Sequence, residues 1–403
     1  MDLLTAIIFA FLGILAGTFT GMIPGVHINM ISAVVIAYYG ILSNFFEIQA
    51  IIVFIISMSL THTFISFIPS VTLGVPQPDN AIAILPAHNM ILKGKGYEAI
   101  FLNNLGSLYG ILAAFLISMI SFFILERAYD LFRIVIPYFL LSVMTLIIIL
   151  EKEKNKIFWA TIIAIFSGGL GLFALNTPII NNPLLILFSG LFGLSGILYS
   201  IKDETAKLPK QSFKINFKHD LKFFKSMFAG TMSSWVCSIS PGVGSAQAAT
   251  ISTLFFKDLN QKMFLLCIGS INTINFILSI MTFFIIERAR NGSIIAVSQI
   301  IDTISLREVI FYYVIIGFVG VFVFFLTLEL AKFSIKRIEK VNVKKLNFAV
   351  ICFIIILVFM FDRFYGILIL VCATALGICS LSLGIKRVHM MAVLLIPVSF
   401  NLL

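Results

Sequence analysis

The chain has 403 residues, of which 60% are hydrophobic and 11% charged, and its mean hydropathy is +1.10. This composition excludes a soluble globular domain and predicts a polytopic membrane protein. The net charge of +10 lies in short connectors between apolar runs, which is typical of cytoplasmic loops, so we expect no nucleic-acid partner.

The first apolar run is interrupted in the middle of what should be a membrane span. It begins at Leu3, lacks the basic start of a signal peptide, and continues into "GTFTGMIPGVHINM", Gly17 to Met30. This motif carries three glycines, a proline, a histidine and an asparagine. A second polar interruption, "GVPQPDNAIAILPAHN" (Gly74 to Asn89), follows the next apolar run. Such breaks survive in a membrane only where they line a protein-enclosed or wet cavity.

The middle and end of the chain read as helical hairpins separated by basic clusters. No Lys or Arg precedes Lys93, and the clusters that follow should share the cytoplasmic face, which puts the N-terminus outside. The first and last hairpins are predicted to turn at "ERAYD" and "DRFYG". The predicted pairs are 100–125 with 134–150, 157–175 with 184–199, and 348–361 with 364–383.

A long basic linker, residues 201–225, divides the chain into two halves. The first half and its hairpins occupy residues 1–200, and the second half occupies residues 226–403. The second half repeats the opening motif, because "SWVCSISPGVGSAQAAT" from Ser234 matches "GTFTGMIPGVHINMISA" from Gly17. A second polar break, "RARNGS", also follows at Arg288. We therefore predict an all-α integral membrane protein with two inverted-topology repeats containing broken or re-entrant helices.

A broken helix exposes backbone N–H groups and a positive dipole end that suit an anion. An arginine at such a break suits bidentate capture of a carboxylate or phosphate. The candidate substrate-binding residues are Gly25, Val26, His27, Asn29, Gly242, Val243, Gly244, Ser245, Gln247, Arg290 and Asn291.

Ionisable and polar residues inside a membrane are costly and are candidates for ion coordination or proton relay. The candidates for this role are Thr61, His62, Asp79, Asn80, His88, Asn272 and Asn275. Two plainer interpretations stay open. His62 and His88 can serve helix packing alone, and Gly17 and Gly21 with Ser234 and Ser238 can form small-residue packing seams. The five cysteines lack metal-ligand spacing, so no metal or cofactor is expected beyond a coupling Na⁺ or H⁺.

Three motifs in order resemble the family of the large membrane subunit of tripartite tricarboxylate transporters, the TctA type. They are "GTFTGMIPGVH", "LGVPQPDNAIAILPAHNMILKGKGYEAI" and "SPGVGSAQAA". The ending, a basic pair followed by "HMMAVLLIPV", is similar to the shorter archaeal members. The resemblance implies an ion-driven importer of organic anions. His27 departs from the small residue expected after "PGV", so neither the substrate nor the accessory subunits of the bacterial systems carry over.

We therefore predict a multi-pass permease of the cell membrane that moves a small organic anion such as a carboxylate, coupled to Na⁺ or H⁺. The alternative cargo is a polyprenyl-phosphate or another anionic lipid. A membrane-embedded enzyme is disfavoured, because the sequence offers no HExxH, no GxSxG and no closely spaced acidic pair on one helix. The bilayer and the anion are the expected partners, and a homodimer is compatible with this interpretation.

Overall fold

A computed structural model describes the chain except for residues 24–31, 33–34, 36–38, 75–82, 201–208, 216, 240–243, 256–259, 290, 339–342 and 403. The described part is helical and contains seven helices long and apolar enough to cross a membrane. The predicted all-α, multi-pass class is therefore confirmed.

The first half consists of two helices separated by an interruption, followed by short helices and one long helical run. Asp2 caps the first helix through its side chain. In chain order the helices are α1 (Leu3–Met22), α2 (Tyr39–Leu42), α3 (Ile48–Ile65), α4 (Phe67–Leu73), α5 (Ile84–Ile91) and α6 (Gly96–Ile149).

The middle of the chain forms the predicted helical pair. Its members are α7 (Lys154–Asn176), then α8 (Pro183–Phe188), a π-helix (Ser189–Leu194) and α9 (Ser195–Ser200), which follow one another without a gap.

The second half repeats the order of the first. Its helix α10 begins inside the predicted basic linker. The elements are α10 (Leu221–Ile239), α11 (Ser245–Phe255), α12 (Gln261–Ile286), α13 (Gly292–Ser298), α14 (Leu306–Ile338), α15 (Val343–Ser382), a 3-10 helix (Arg387–Met391) and α16 (Ala392–Leu402).

In the first half, α1 packs on α3 through glycines. A Cβ on Gly13 would lie 2.6 Å from the carbonyl oxygen of Phe54, and one on Gly17 would lie 2.4 Å from that of Met58. One turn further on, Gly21 faces Ile65. Contacts that advance together along both chains mean that the two helices run parallel. The packing seam predicted for Gly17 and Gly21 is therefore present, since small residues let membrane helices approach closely.

In the second half, α10 packs on α12 in the same way. A Cβ on Gly230 would lie 2.0 Å from the hydroxyl of Ser270, and the hydroxyl of Ser234 donates to the carbonyl of Ile271 at 3.2 Å. This pair is also parallel. Gly230 and Ser234 match Gly13 and Gly17 in the sequence repeat, so the repeat extends from residue identities to helix packing.

The long helices α6 and α14 each pack against the other half. Asn103 and Ser107 on α6 donate to the carbonyls of Leu265 and Gly269 on α12, and the increasing numbers show a parallel pair. Similarly, α14 runs parallel to α3, since Gln49 contacts Glu308 at one end.

A Cβ on Gly320 would lie 3.8 Å from Leu60 further along the same pair. Between α6 and α14 the order reverses, because Asn104 donates to the carbonyl of Phe324 while Ser118 meets Tyr313. These two helices, which hold equivalent places in the two halves, therefore run antiparallel.

Two predicted turns have different outcomes. The turn at "DRFYG" is confirmed, because Arg363 interrupts α15 with φ 49° and ψ −141°. The non-helical turn at "ERAYD" is wrong, because α6 is helical throughout. A straight helix of its 54 residues would measure roughly 80 Å. Both ends of α6 nevertheless approach the C-terminal segment, through His88 near Arg387 and through Glu151 bonded to Lys386. The run therefore reverses direction without leaving helical geometry.

Candidate functional site

The first interruption is flanked by a buried histidine–threonine pair. His62 on α3 places its Nδ1 3.1 Å from the hydroxyl of Thr20, which lies near the end of α1. Thr20 also donates to the carbonyl of Gly17. Both side chains are buried. A polar pair therefore lies directly before the first Pro-Gly motif.

The corresponding place in the second half holds an asparagine–serine pair. Asn275 on α12 donates through Nδ2 to the hydroxyl of Ser245 at 3.2 Å, and both residues are buried. Ser245 begins α11, directly after the second Pro-Gly motif. The backbone N–H of Gly244 donates to Oε1 of Gln247 at 3.0 Å, which fixes the start of this helix.

Both pairs lie at the same depth along their spans. His62 and Asn275 each come fourteen residues after the first residue of a 26-residue span, Ile48–Leu73 and Gln261–Ile286 respectively. At 1.5 Å per residue this is ~21 Å along a helix of ~39 Å. The polar pairs beside the two interruptions therefore lie near the middle of the spans.

The second break of the second half connects the two halves directly. Helix α12 ends at Glu287, whose φ of 54° is left-handed. The backbone N–H of Asn291 then donates to Ser279 at 2.7 Å, and its side chain caps the N–H of Ser293 at 3.0 Å. The hydroxyl of Ser293 accepts from Ser59 on α3 at 2.6 Å.

The remaining predicted residues divide into two groups. Thr61 donates to the carbonyl of Ser57, Asn272 is buried on α12, and His88 lies on α5 with its Nδ1 buried. The others lie outside the described residues: Gly25, Val26, His27, Asn29, Asp79, Asn80, Gly242, Val243 and Arg290. Within the described part of the chain, no group of three or more His, Cys, Asp or Glu could hold a metal ion.

A charged cluster at the C-terminal segment did not figure among the sequence candidates. Glu151, buried between α6 and α7, accepts from Lys386 Nζ at 2.8 Å and lies 2.9 Å from Nε2 of the buried His389. Burial raises the pKa of the Glu151 carboxyl, but the hydrogen bonds from Lys386 and His389 outweigh it and hold the pKa below its usual value. The charge alternation of "EKEKNK" indicated only a solvated connector, so the sequence gave no sign of this burial.

The Glu151 contact predicts a pH-dependent stability. Because the folded-state pKa is lowered from 4.5, the contact stabilises above that value, and the stabilisation is lost as the pH falls through the folded pKa. We expect E151Q to unfold at a lower temperature than the wild type near neutral pH. The difference should shrink below about pH 4. A difference in unfolding temperature that stays constant with pH would contradict the assignment.

The paired interruptions, the apolar spans and the buried mid-span polar groups define a multi-pass membrane transport protein. The chain matches the Tripartite tricarboxylate transporter TctA family over residues 7–392, and it belongs to that family. It is also 29% identical, over 399 residues and 97% of each chain, to an uncharacterized protein of Methanocaldococcus jannaschii. This agrees with the resemblance to short archaeal members. No solved structure matches the chain.

Proposed function

We propose that the protein is a secondary transporter that moves a small organic anion, such as a carboxylate, across the membrane at its paired helix interruptions. Membership of a transporter family supports the general class. The observation that carries the specific proposal is the matched depth of the His62–Thr20 and Asn275–Ser245 pairs. Buried polar groups near the middle of two spans have a reason to exist where a solute or an ion passes.

The directions of the helices support the proposal further. We infer that the two halves form inverted repeats, because α6 and α14 run antiparallel while each lies parallel to a helix of the other half. In transporters built this way, the substrate site forms where interrupted helices of both repeats meet. The hydrogen bond between Ser59 and Ser293 is such a meeting point, since it joins a mid-span residue of one half to a break of the other.

The coupling ion is proposed to be Na⁺ or H⁺. The hydroxyl and amide oxygens of Thr61, Asn272 and Asn275 suit a hard cation such as Na⁺. His62 suits a proton, because an imidazole titrates in the physiological range unless its surroundings shift it. A sodium gradient and a pH gradient, imposed separately on proteoliposomes, separate these two cases.

Uptake of labelled citrate and succinate into proteoliposomes tests the proposal. We expect gradient-driven uptake by the wild type. N275L should lower its rate by about tenfold, which is the effect of losing one buried hydrogen bond. S142A is the control, since it removes only an exposed hydroxyl that donates within its own helix, and it should transport normally. We also expect R290A to abolish uptake while the protein still inserts.

The result also separates the two candidate cargoes. If neither carboxylate enters under any gradient, while a fluorescent polyprenyl-phosphate exchanges between leaflets, then the protein carries a lipid and the carboxylate proposal is wrong. If N275L and S142A transport equally well, the mid-span pair has no part in the pathway.

A further inference from the structure

Arg387, at the start of the 3-10 helix, has an uncommon environment for an arginine. Its side chain is largely buried, and its Nη1 donates to the carbonyl of Phe192 in the π-helix at 2.7 Å. Its Nε is buried and has no hydrogen-bond partner among the described residues. One side of the guanidinium is therefore anchored, and the other side has an unused donor.

The charge of Arg387 also lacks a partner in the described part of the chain. Other basic side chains there are paired: Lys262 with Glu98, Lys386 with Glu151, and Lys332 with Glu329. Arg288 lies over the ring of Tyr129 instead. Burying an unpaired cation costs several kcal/mol, so a bound anion would relieve a real penalty.

The free edge of the guanidinium has the geometry of a carboxylate fork. With Nη1 held by Phe192, the Nε and Nη2 donors remain side by side, and such a pair binds both oxygens of a carboxylate. Gly196 makes room for this edge, since a Cβ there would lie 2.8 Å from Nη2. His88 lies within electrostatic range of Arg387 and has a buried Nδ1 with no hydrogen-bond partner among the described residues.

The position of Arg387 links it to both halves. The 3-10 helix contacts α11, which starts directly after the second Pro-Gly motif. His88 belongs to α5, the helix that follows the second break of the first half. A ligand held between Arg387 and His88 would therefore lie beside segments that border interruptions in both repeats.

We propose that Arg387 and His88 form a binding site for the carboxylate group of the transported anion. This inference rests on the proposed function. Arg387 receives both carboxylate oxygens through Nε and Nη2, and His88 supplies a further hydrogen bond through Nδ1. The site takes over the role that the sequence analysis gave to Arg290 alone.

A purely structural role for Arg387 makes a different prediction. If the guanidinium served only to satisfy the Phe192 carbonyl within the π-helix, then its substitution would lower stability but leave ligand binding unchanged. The test therefore measures ligand-dependent stabilisation instead of stability alone.

The experiment titrates purified protein with citrate, and with succinate, and records the unfolding temperature, with chloride matched for ionic strength. We expect saturable stabilisation of the wild type. R387K, which keeps the charge but loses the fork, should weaken the apparent citrate affinity by about tenfold or more. G196A, which keeps Arg387 but displaces Nη2, should weaken it several-fold, whereas G169A, with no neighbouring atom within 4 Å of its Cβ, should match the wild type.

Two results would overturn the site. One is wild-type citrate affinity in both R387K and G196A, and the other is no carboxylate stabilisation of the wild type at all. Neither decides the proposed function, because gradient-driven uptake is measured separately and can persist through the mid-span residues. If R387K does not fold, G196A alone still decides the outcome, since its arginine and its Phe192 contact are retained.

Discussion

Replacing Gly269 with alanine is expected to destabilise the protein by about 2–3 kcal/mol, near the upper end for overpacking in a core. A Cβ at this position would lie 1.9 Å from the carbonyl oxygen of Asn103 on α6. The obstructing atom belongs to a helix backbone, so it cannot move aside as the end of a flexible side chain could. Helices α6 and α12 must separate, and the contacts along their whole parallel seam weaken.

The control for this variant is G317A. Gly317 lies on α14 and has no neighbouring atom within 4 Å of the place where a Cβ would stand. Alanine there should be neutral or slightly stabilising, because it restricts the unfolded chain and favours the helix. Thermal unfolding in detergent, at one scan rate for both variants, gives the comparison. Equal unfolding temperatures for G269A and G317A would show that the seam is looser than the structure has it.

The second large effect is expected from K262M. Lys262 at the start of α12 forms an ion pair with Glu98 at the start of α6, where the carboxylate side chain is 4% exposed. Removing the lysine leaves a buried carboxylate unpaired, for which breaking a buried pair costs about 3–5 kcal/mol. The lysine itself is 33% exposed, so we expect the lower end of that range, about 3 kcal/mol. Thermal unfolding of the purified variant measures the loss.

The repeat provides the matched control. In the other half, Gln49 on α3 faces Glu308 on α14, and it makes only a long 3.4 Å hydrogen bond. Q49M should therefore change stability by less than about 0.5 kcal/mol. A double variant, E98Q with K262Q, should recover much of the stability lost in K262M, because it leaves no unpaired buried charge. Full destabilisation in the double variant would mean that the ion pair is not the cause.

The sequence repeat predicted the architecture because the same requirement acts in both halves. Pro-Gly motifs interrupt a helix wherever they occur, and small residues at Gly13 and Gly230 permit close packing in each half. These are local properties of the chain, and they can be read from residue types alone. The lengths of the apolar runs similarly predicted the spans, since a bilayer sets how many residues a helix needs.

The long-range contacts could not be predicted in the same way. The charged sequence "ERAYD" suggested a turn, but helix-forming residues carry α6 through it, and a bend replaces the loop. Arg387 stood in a basic pair that indicated a cytoplasmic loop. Its burial against Phe192 depends on how the C-terminal segment folds back on the π-helix. Only His62, Asn275 and their neighbours combined a local signal with a position at a break, and the structure places these near mid-span.

The exchange of long helices between the halves has a mechanical consequence. Since α6 lies along α12 and α14 lies along α3, with glycines in backbone contact at both seams, neither half can swing away as an independent rigid body. Opening to one side and then the other has to come from the short segments next to the breaks, α5, α11 and α13. The crossed long helices act as a stationary frame, and the gates are the small pieces hinged on it.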